Sequence, residues 1–229
     1  MKLLKFFIAK DLVEYGRPVP TKRALPGWYK SAESHFLTAT GEKSAGLKQC
    51  MPFLDAMITG YVLTIPFDIE VSKKDGNIFF SYPENPLGQI INERPAALGE
   101  TMPRLPGFAP NHLAFTGFWN FKAPRGFSVL LTHPLNREDL PFHVTSGIID
   151  SDVFFNAGNI PFFIKEDFEG VIPKGTPIAQ LIPIKRYDWK MQIRSASSKA
   201  LRNLGYFAYL ARTKDFNYKR TMWHRKKYD

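Results

Sequence analysis

The chain has 229 residues, 44% of them hydrophobic and 14% aromatic, enough to bury a sizeable core in one main domain. Its formal charge of +10 is unevenly spread: residues 185–229 hold 13 Lys or Arg against 3 acids, while 1–184 carry 18 of each. A single cysteine, Cys50, excludes an intrachain disulfide and a cysteine-built zinc site, and no apolar run reaches the ~18 residues of a membrane-spanning helix.

With 20 Phe, 18 Pro and few helix-forming runs before residue 185, the pattern predicts a mainly β chain of short strands separated by proline-marked turns. Residues 2–9 alternate apolar and basic positions and predict a first strand. Because Lys5, Lys10 and Asp11 break this stretch, it is not expected to act as a signal peptide, and a reducing intracellular setting follows from the cysteine count. Loops dominate 17–50, with one short helix expected after Pro26-Gly27. Cys50 opens an apolar run and reads as a small core residue. The β-branched pattern of Val62, Thr64 and Ile69 predicts a strand over about 60–71, and Asp75-Gly76 predicts a hairpin turn into the return strand IFFSY.

Six prolines between 83 and 110 (Pro83, Pro86, Pro95, Pro103, Pro106 and Pro110) forbid a regular central strand and predict a long loop or arm over the surface. Further strands are expected near 113–121, 127–132, 142–149, 160–165 and 177–185, each bounded by Gly, Pro or Asn. Past Trp189 the spacing of Ala200, Leu201, Leu204, Phe207, Ala208 and Leu210 changes to a helical one, with Ser195 or Ser197 as its cap. The predicted organisation is one β domain over 1–186, carrying the arm at 83–110, followed by a C-terminal helix and basic-aromatic tail over 187–229.

Three groups of residues carry chemical interest. Asp150 and Asp152 in SGIIDSD stand two apart at the end of an apolar strand, a spacing that suits divalent-metal ligation, general-base work or an ordinary turn. Gln180 lies in the strand PIAQLIPIK, where a glutamine serves as a structural hydrogen-bonder or a ligand group; Gly175 before it suits a positive φ, and Ile178, Leu181 and Ile182 supply core contacts. His112, His133 and His143 lack the spacings of a metal motif, so no metal site is assigned to them. In the tail, Lys214, Lys219, Arg220, Arg225, Lys226 and Lys227 interleave with Phe216, Tyr218, Trp223 and Tyr228. That pattern grips phosphates while stacking bases, docks a partner's acidic groove, or simply solvates an extension.

GIIDSD followed by KGTPIAQLI, with APRGFSVLL upstream, resembles the motifs of the dUTPase and dCTP-deaminase superfamily over about residues 113–186. The resemblance implies a jelly-roll-like, dUTPase-like β-barrel that forms a homotrimer with active sites between subunits. It places Asp150 near sugar and attacking water, Gln180 near the phosphates, and Arg125 with Ser128 in a phosphate-binding element. Several accompanying residues differ. The tyrosine position falls near Val153, Arg-Gly-Phe-Ser replaces Arg-Ser-Gly, the aspartate of the first motif is missing from TGYVL, and neither the deaminase glutamate nor a glycine-rich closing arm is present.

CMPFLDAMITGY, FWNFKAPRGFSVLLTHPLNREDLPF and GIIDSD are in addition similar to a family of phage-encoded proteins of large tailed cyanobacterial phages, a likeness that carries over no activity. Together these features lead to the expectation of a phage structural or assembly protein with degenerate catalytic motifs. It would be a homotrimer that meets other virion or assembly proteins, placed in the virion or host cytoplasm and away from membranes, with no cofactor. The alternative is a deoxynucleoside triphosphate pyrophosphohydrolase using Asp150 and Mg2+, with Arg125, Ser128 and Gln180 on the substrate. A third reading is a nucleic-acid-binding protein that uses Lys219, Arg220, Trp223, Arg225, Lys226 and Lys227.

Overall fold

The computed structural model describes residues 2–156, 158–213 and 216–229. The chain divides into two compact units, one of residues 1–24 and 60–186 and the other of 25–59 and 187–229. Residues 25–59, read from sequence as part of the β domain, therefore cluster with the C-terminal segment. The reason is local: Gln49 and Asp55 hydrogen-bond to tail residues, whereas the apolar cluster of the first unit runs only from Leu63 to Leu181.

All strand pairs are antiparallel, as the short, turn-separated strands suggested. A five-stranded sheet in the first unit has the spatial order Gly147–Ile149, Phe127–Thr132, Pro177–Lys185, Tyr61–Thr64, Val19–Pro20. A four-stranded sheet is ordered Phe142–Val144, Asn159–Ile164, Leu113–Thr116, Ile91–Glu93. Gly170–Ile172, Ile69–Lys74 and Asn77–Ser81 make a third sheet, and Lys5–Phe7 pairs with Asn120–Lys122 in a ribbon. Leu63, Val129 and Leu181 from the first sheet meet Phe115, Phe142 and Phe162 from the second, Ile69 and Ile172 from the third, and Phe121 from the ribbon in one buried cluster. The mainly β character thus holds. Each sheet is open-ended, and no barrel closes among the described residues.

Several local expectations meet their elements. Gly27–Ser31 is helical after Pro26, Phe127–Thr132 and Pro177–Lys185 are strands with the predicted bounds, and Asp75 and Gly76 take φ of 50° and 77° in the turn between Ile69–Lys74 and Asn77–Ser81. Gly175 has φ of 83° ahead of its strand.

Others are corrected. The strand expected over 60–71 is split into Tyr61–Thr64 and Ile69–Lys74, which belong to different sheets, because Pro66 lies between them and lacks the N–H a ladder needs. Likewise 142–149 is two strands in two sheets. The proline-rich arm is more than a surface loop: its proline-free centre supplies the edge strand Ile91–Glu93 and buries Ile90 and Ile91, and Ala96–Glu100 is a short helix. An edge position tolerates the flanking prolines. Ile182 points away from the core, half-buried, while Ile178 and Leu181 enter it.

In the second unit, Met51–Ile58 is a helix with Pro52 in its first turn, and Cys50 stands exposed at its N-cap, outside any core. Trp28, Tyr29 and Phe53 pack ring against ring, and Met51 and Met57 are buried. His35–Leu37 and Lys43–Ala45 form a two-stranded hairpin. Ser198–Thr213 is the C-terminal helix; Ser197 caps it by accepting the Ala200 N–H at 3.3 Å. No helix among the described residues is long and apolar enough to cross a membrane.

Candidate functional site

The face of the five-stranded sheet that carries Ser128 follows from its pleat. Successive side chains alternate between faces, so Ser128, Leu130 and Thr132 share one side with their neighbours across the ladder. The register pairs Ser128 with Ile184, Leu130 with both Ile148 and Ile182, and Thr132 with Gln180. Two residues beyond Ile148 comes Asp150, and two beyond Ile184 comes Arg186, whose N–H donates to Gly126 O at 2.9 Å and continues the ladder.

This register brings four side chains together. Ser128 Oγ donates to Asp150 Oδ1 at 2.6 Å. Arg186 Nη1 donates to Asp150 Oδ1 at 3.2 Å, to Ser128 Oγ at 3.2 Å and to Asp152 Oδ1 at 2.9 Å, while its Nη2 donates to Asp152 Oδ2. The Gly126 N–H gives Asp152 Oδ2 a further bond of 2.8 Å. Arg186 therefore holds Asp152 in a two-pronged ion pair and reaches Asp150 with the same guanidinium. Asp152 is the covered member, with its side chain 6% exposed against 65% for Asp150. The Arg186 hydrogen bonds, aided by the Gly126 N–H, hold the Asp152 carboxyl down to about 2, and Asp152 raises the Arg186 guanidinium above its ordinary value.

A carboxylate so weakly basic is a poor proton acceptor near neutral pH. Three of the pair's four oxygens already accept hydrogen bonds, and the cation between them is a guanidinium. The pair does not fit a divalent metal ion, which would have to displace Arg186 or sit against its charge. Among the described residues no group of three or more His, Cys, Asp or Glu is placed to hold one.

Of the four residues that the resemblance assigned to a nucleotide, Ser128 and Asp150 meet and the other two stand apart. Gln180 is fully buried, its Oε1 accepting the Leu135 N–H at 2.9 Å. It pairs with Thr132, four residues along the strand from Ser128, which is about 13 Å at ~3.3 Å per residue. Arg125 is exposed and lines a groove with Lys2, Lys5 and Lys122. Arg186 is the member that sequence reasoning missed. Its signal was present as the period-two series Gln180, Ile182, Ile184, Arg186, which puts the arginine on the Ser128 face once the two strands are paired.

The histidines also fall apart. His112 is buried with its ring stacked on Phe163. His133 and His143 stack on each other with ring centres 4.7 Å apart; His133 Nδ1 accepts the Val144 N–H, leaving Nε2 to donate to Arg137 O.

Much of the tail is seated within its own unit. Trp223 Nε1 donates to Asp55 Oδ2 at 2.8 Å, Lys226 Nζ bonds the same oxygen, and the Phe216 N–H donates to Gln49 Oε1 at 3.0 Å. Lys219 lies over the Phe216 ring and Lys226 over the Trp223 ring. Two of the six residues expected to meet a partner or nucleic acid, Trp223 and Lys226, are thus held by Asp55, while Arg220, Arg225 and Lys227 are exposed. Lys214 lies outside the described residues.

No protein-family profile, no curated protein and no solved structure matches the chain.

Proposed function

We propose that the chain is a phage structural or assembly protein on a jelly-roll-like, dUTPase-like scaffold, working as a homotrimer without nucleotide chemistry. The observation that carries this reading is the Ser128–Asp150–Asp152–Arg186 cluster. Where the resemblance implies an aspartate free to meet sugar and water, this chain has Asp150 Oδ1 tied to Ser128 and Arg186 in an ion cluster that braces three strand ends. That Gln180 is fully buried and takes up the Leu135 N–H through Oε1 supports the same reading.

An interaction role also suits the segment after the last strand. Tyr187, Trp189, Met191 and Ile193 alternate with polar residues and are 58%, 88%, 84% and 85% exposed. Large apolar side chains repeated every second residue are what a segment needs to lie along a partner's sheet.

The test combines two measurements. Native mass spectrometry of the purified chain should return a trimer, and quantitative proteomics of virus particles should find the protein at structural stoichiometry. A pyrophosphate-release screen over the common deoxynucleoside triphosphates should show no turnover above an Asp150→Ala control. Turnover abolished by that substitution would establish the hydrolase instead, and a monomer absent from particles would remove the assembly reading.

A further inference from the structure

The N-terminal ribbon carries an arrangement that its own stability does not favour. Lys5 stands directly opposite Lys122 in the pairing of Lys5–Phe7 with Asn120–Lys122, and like charges at directly opposed positions destabilise a strand pair. Lys2 and Arg125 join them around an open groove of about 430 Å3 whose lining contains no acidic residue. None of these four cations is ion-paired among the described residues. Residues 1–184 carry equal numbers of acids and bases, so the cluster is a local separation of charge and not a share of a general excess.

Aromatic rings accompany the cations. Phe7 is on the same exposed ribbon face as Lys5 and is 45% exposed, and Lys122 Nζ lies 4.9 Å from the centre of the Phe155 ring, itself 47% exposed. A mononucleotide pocket encloses most of its ligand. This groove is open, with its charges strung along a ribbon and flat rings at the side, which is the combination that tracks a phosphate backbone while bases stack.

We propose that this ribbon face binds single-stranded nucleic acid, with Lys2, Lys5, Lys122 and Arg125 on phosphates and Phe7 and Phe155 stacking bases. The site uses no residue of the basic tail and is independent of the assembly reading.

Fluorescence anisotropy of the full-length protein with a labelled 15-nucleotide single-stranded DNA, titrated over a range of KCl, tests it. The Lys5→Gln/Lys122→Gln protein should bind about tenfold or more weakly. Its log affinity against log salt should be shallower than wild type by about 1.4, since each lost phosphate contact on a single strand contributes ~0.7. Its melting temperature should not fall, because the opposed charges are gone. Phe155→Ala should weaken binding about tenfold without changing the slope. An Arg225→Gln/Lys227→Gln protein should bind as wild type does. Unchanged affinity and slope in the ribbon double variant overturn the proposal, as does a Phe155→Ala protein indistinguishable from wild type. Displacement of the DNA by tripolyphosphate or polyglutamate at equal charge concentration also overturns it, by showing a small-anion or acidic-peptide site.

Discussion

Arg186 shows how one residue changes the meaning of its neighbours. From sequence, Asp150 and Asp152 are a carboxylate pair with one face; in the fold they are the acceptors of a guanidinium 34 to 36 positions away. The strand stops at Ile149 and residues 151–153 form a turn, so spacing alone does not place the two carboxylates, and the cation that pairs with both comes from the end of another strand, where only the register brings it. The pH consequence follows in sign. Asp152 is held at about 2 in the folded chain, below the ~3.9 of an unfolded aspartate, so its contribution to stability is complete above about pH 4 and is lost as pH falls through 2. Arg186→Ala should lower the melting temperature by several degrees at pH 7 and flatten its fall between pH 4 and pH 2, read by thermal melts across that range. His133 gives a second window. Burial, with His143 and Arg137 nearby, lowers its affinity for a proton despite Glu138 and the Arg137 carbonyl, and the proton would face the Val144 N–H. Its stabilisation is full above about pH 6.5 and declines as pH drops below that value toward the folded pKa. His133→Gln should melt with a smaller change between pH 7 and pH 5 than wild type.

At the scale of elements, legibility depended on whether a segment's partners were close in the chain. The hairpin at Asp75-Gly76 and the strands Phe127–Thr132 and Pro177–Lys185 declare themselves through turn residues at their ends. Met51–Ile58 does not: it is apolar around most of its circumference, so its helical period is invisible, and only Pro52 hints at a helix start. Gly60, which follows this helix, enters its strand at φ of +78°, and an added Cβ would lie 2.1 Å from Leu181 O in the neighbouring strand. Gly60→Ala should cost about 3 kcal/mol or more in urea unfolding, from left-handed strain plus the forced separation of the two strands. The tail was legible as basic and aromatic, but its seat was not, because Asp55 lies 168 positions before Trp223. Asp55→Ala removes the acceptor shared by Trp223 and Lys226, a local loss of about 2 kcal/mol for a bond to a charged group. Amide exchange over 216–228 should then speed up by about thirtyfold, and trypsin should cut after Arg225 and Lys226 earlier than in wild type.

For the whole molecule, the sequence made the charge boundary near residue 185 visible and concealed the second boundary, at 24 and 60. Composition changes sharply at the first and hardly at all at the second, so only contacts reveal that 25–59 belongs with the tail. The two cut points are near each other inside the first unit, because the Thr21 N–H donates to Gly60 O at 3.1 Å and Thr21–Ala24 is a single 3-10 turn. The first unit's apolar cluster contains no residue from 25–59 or from 187–229. A protein in which Ala24 is joined to Gly60 by a short Gly-Ser linker and which ends at Arg186 should therefore fold alone, because removing the insertion takes nothing from that core and shortens a loop. Loop shortening itself changes closure entropy only slightly. Far-ultraviolet circular dichroism should show a β spectrum with a single cooperative melt, and its amide NMR spectrum should be well dispersed. The complementary truncation, full length to Arg186 but with 25–59 retained, should leave Tyr29, Met51 and Met57 without the tail residues that share their unit. Early proteolysis between 25 and 59, with the remainder resistant, is the expected result; uniform digestion of both proteins would mean that the first unit does not fold without the second.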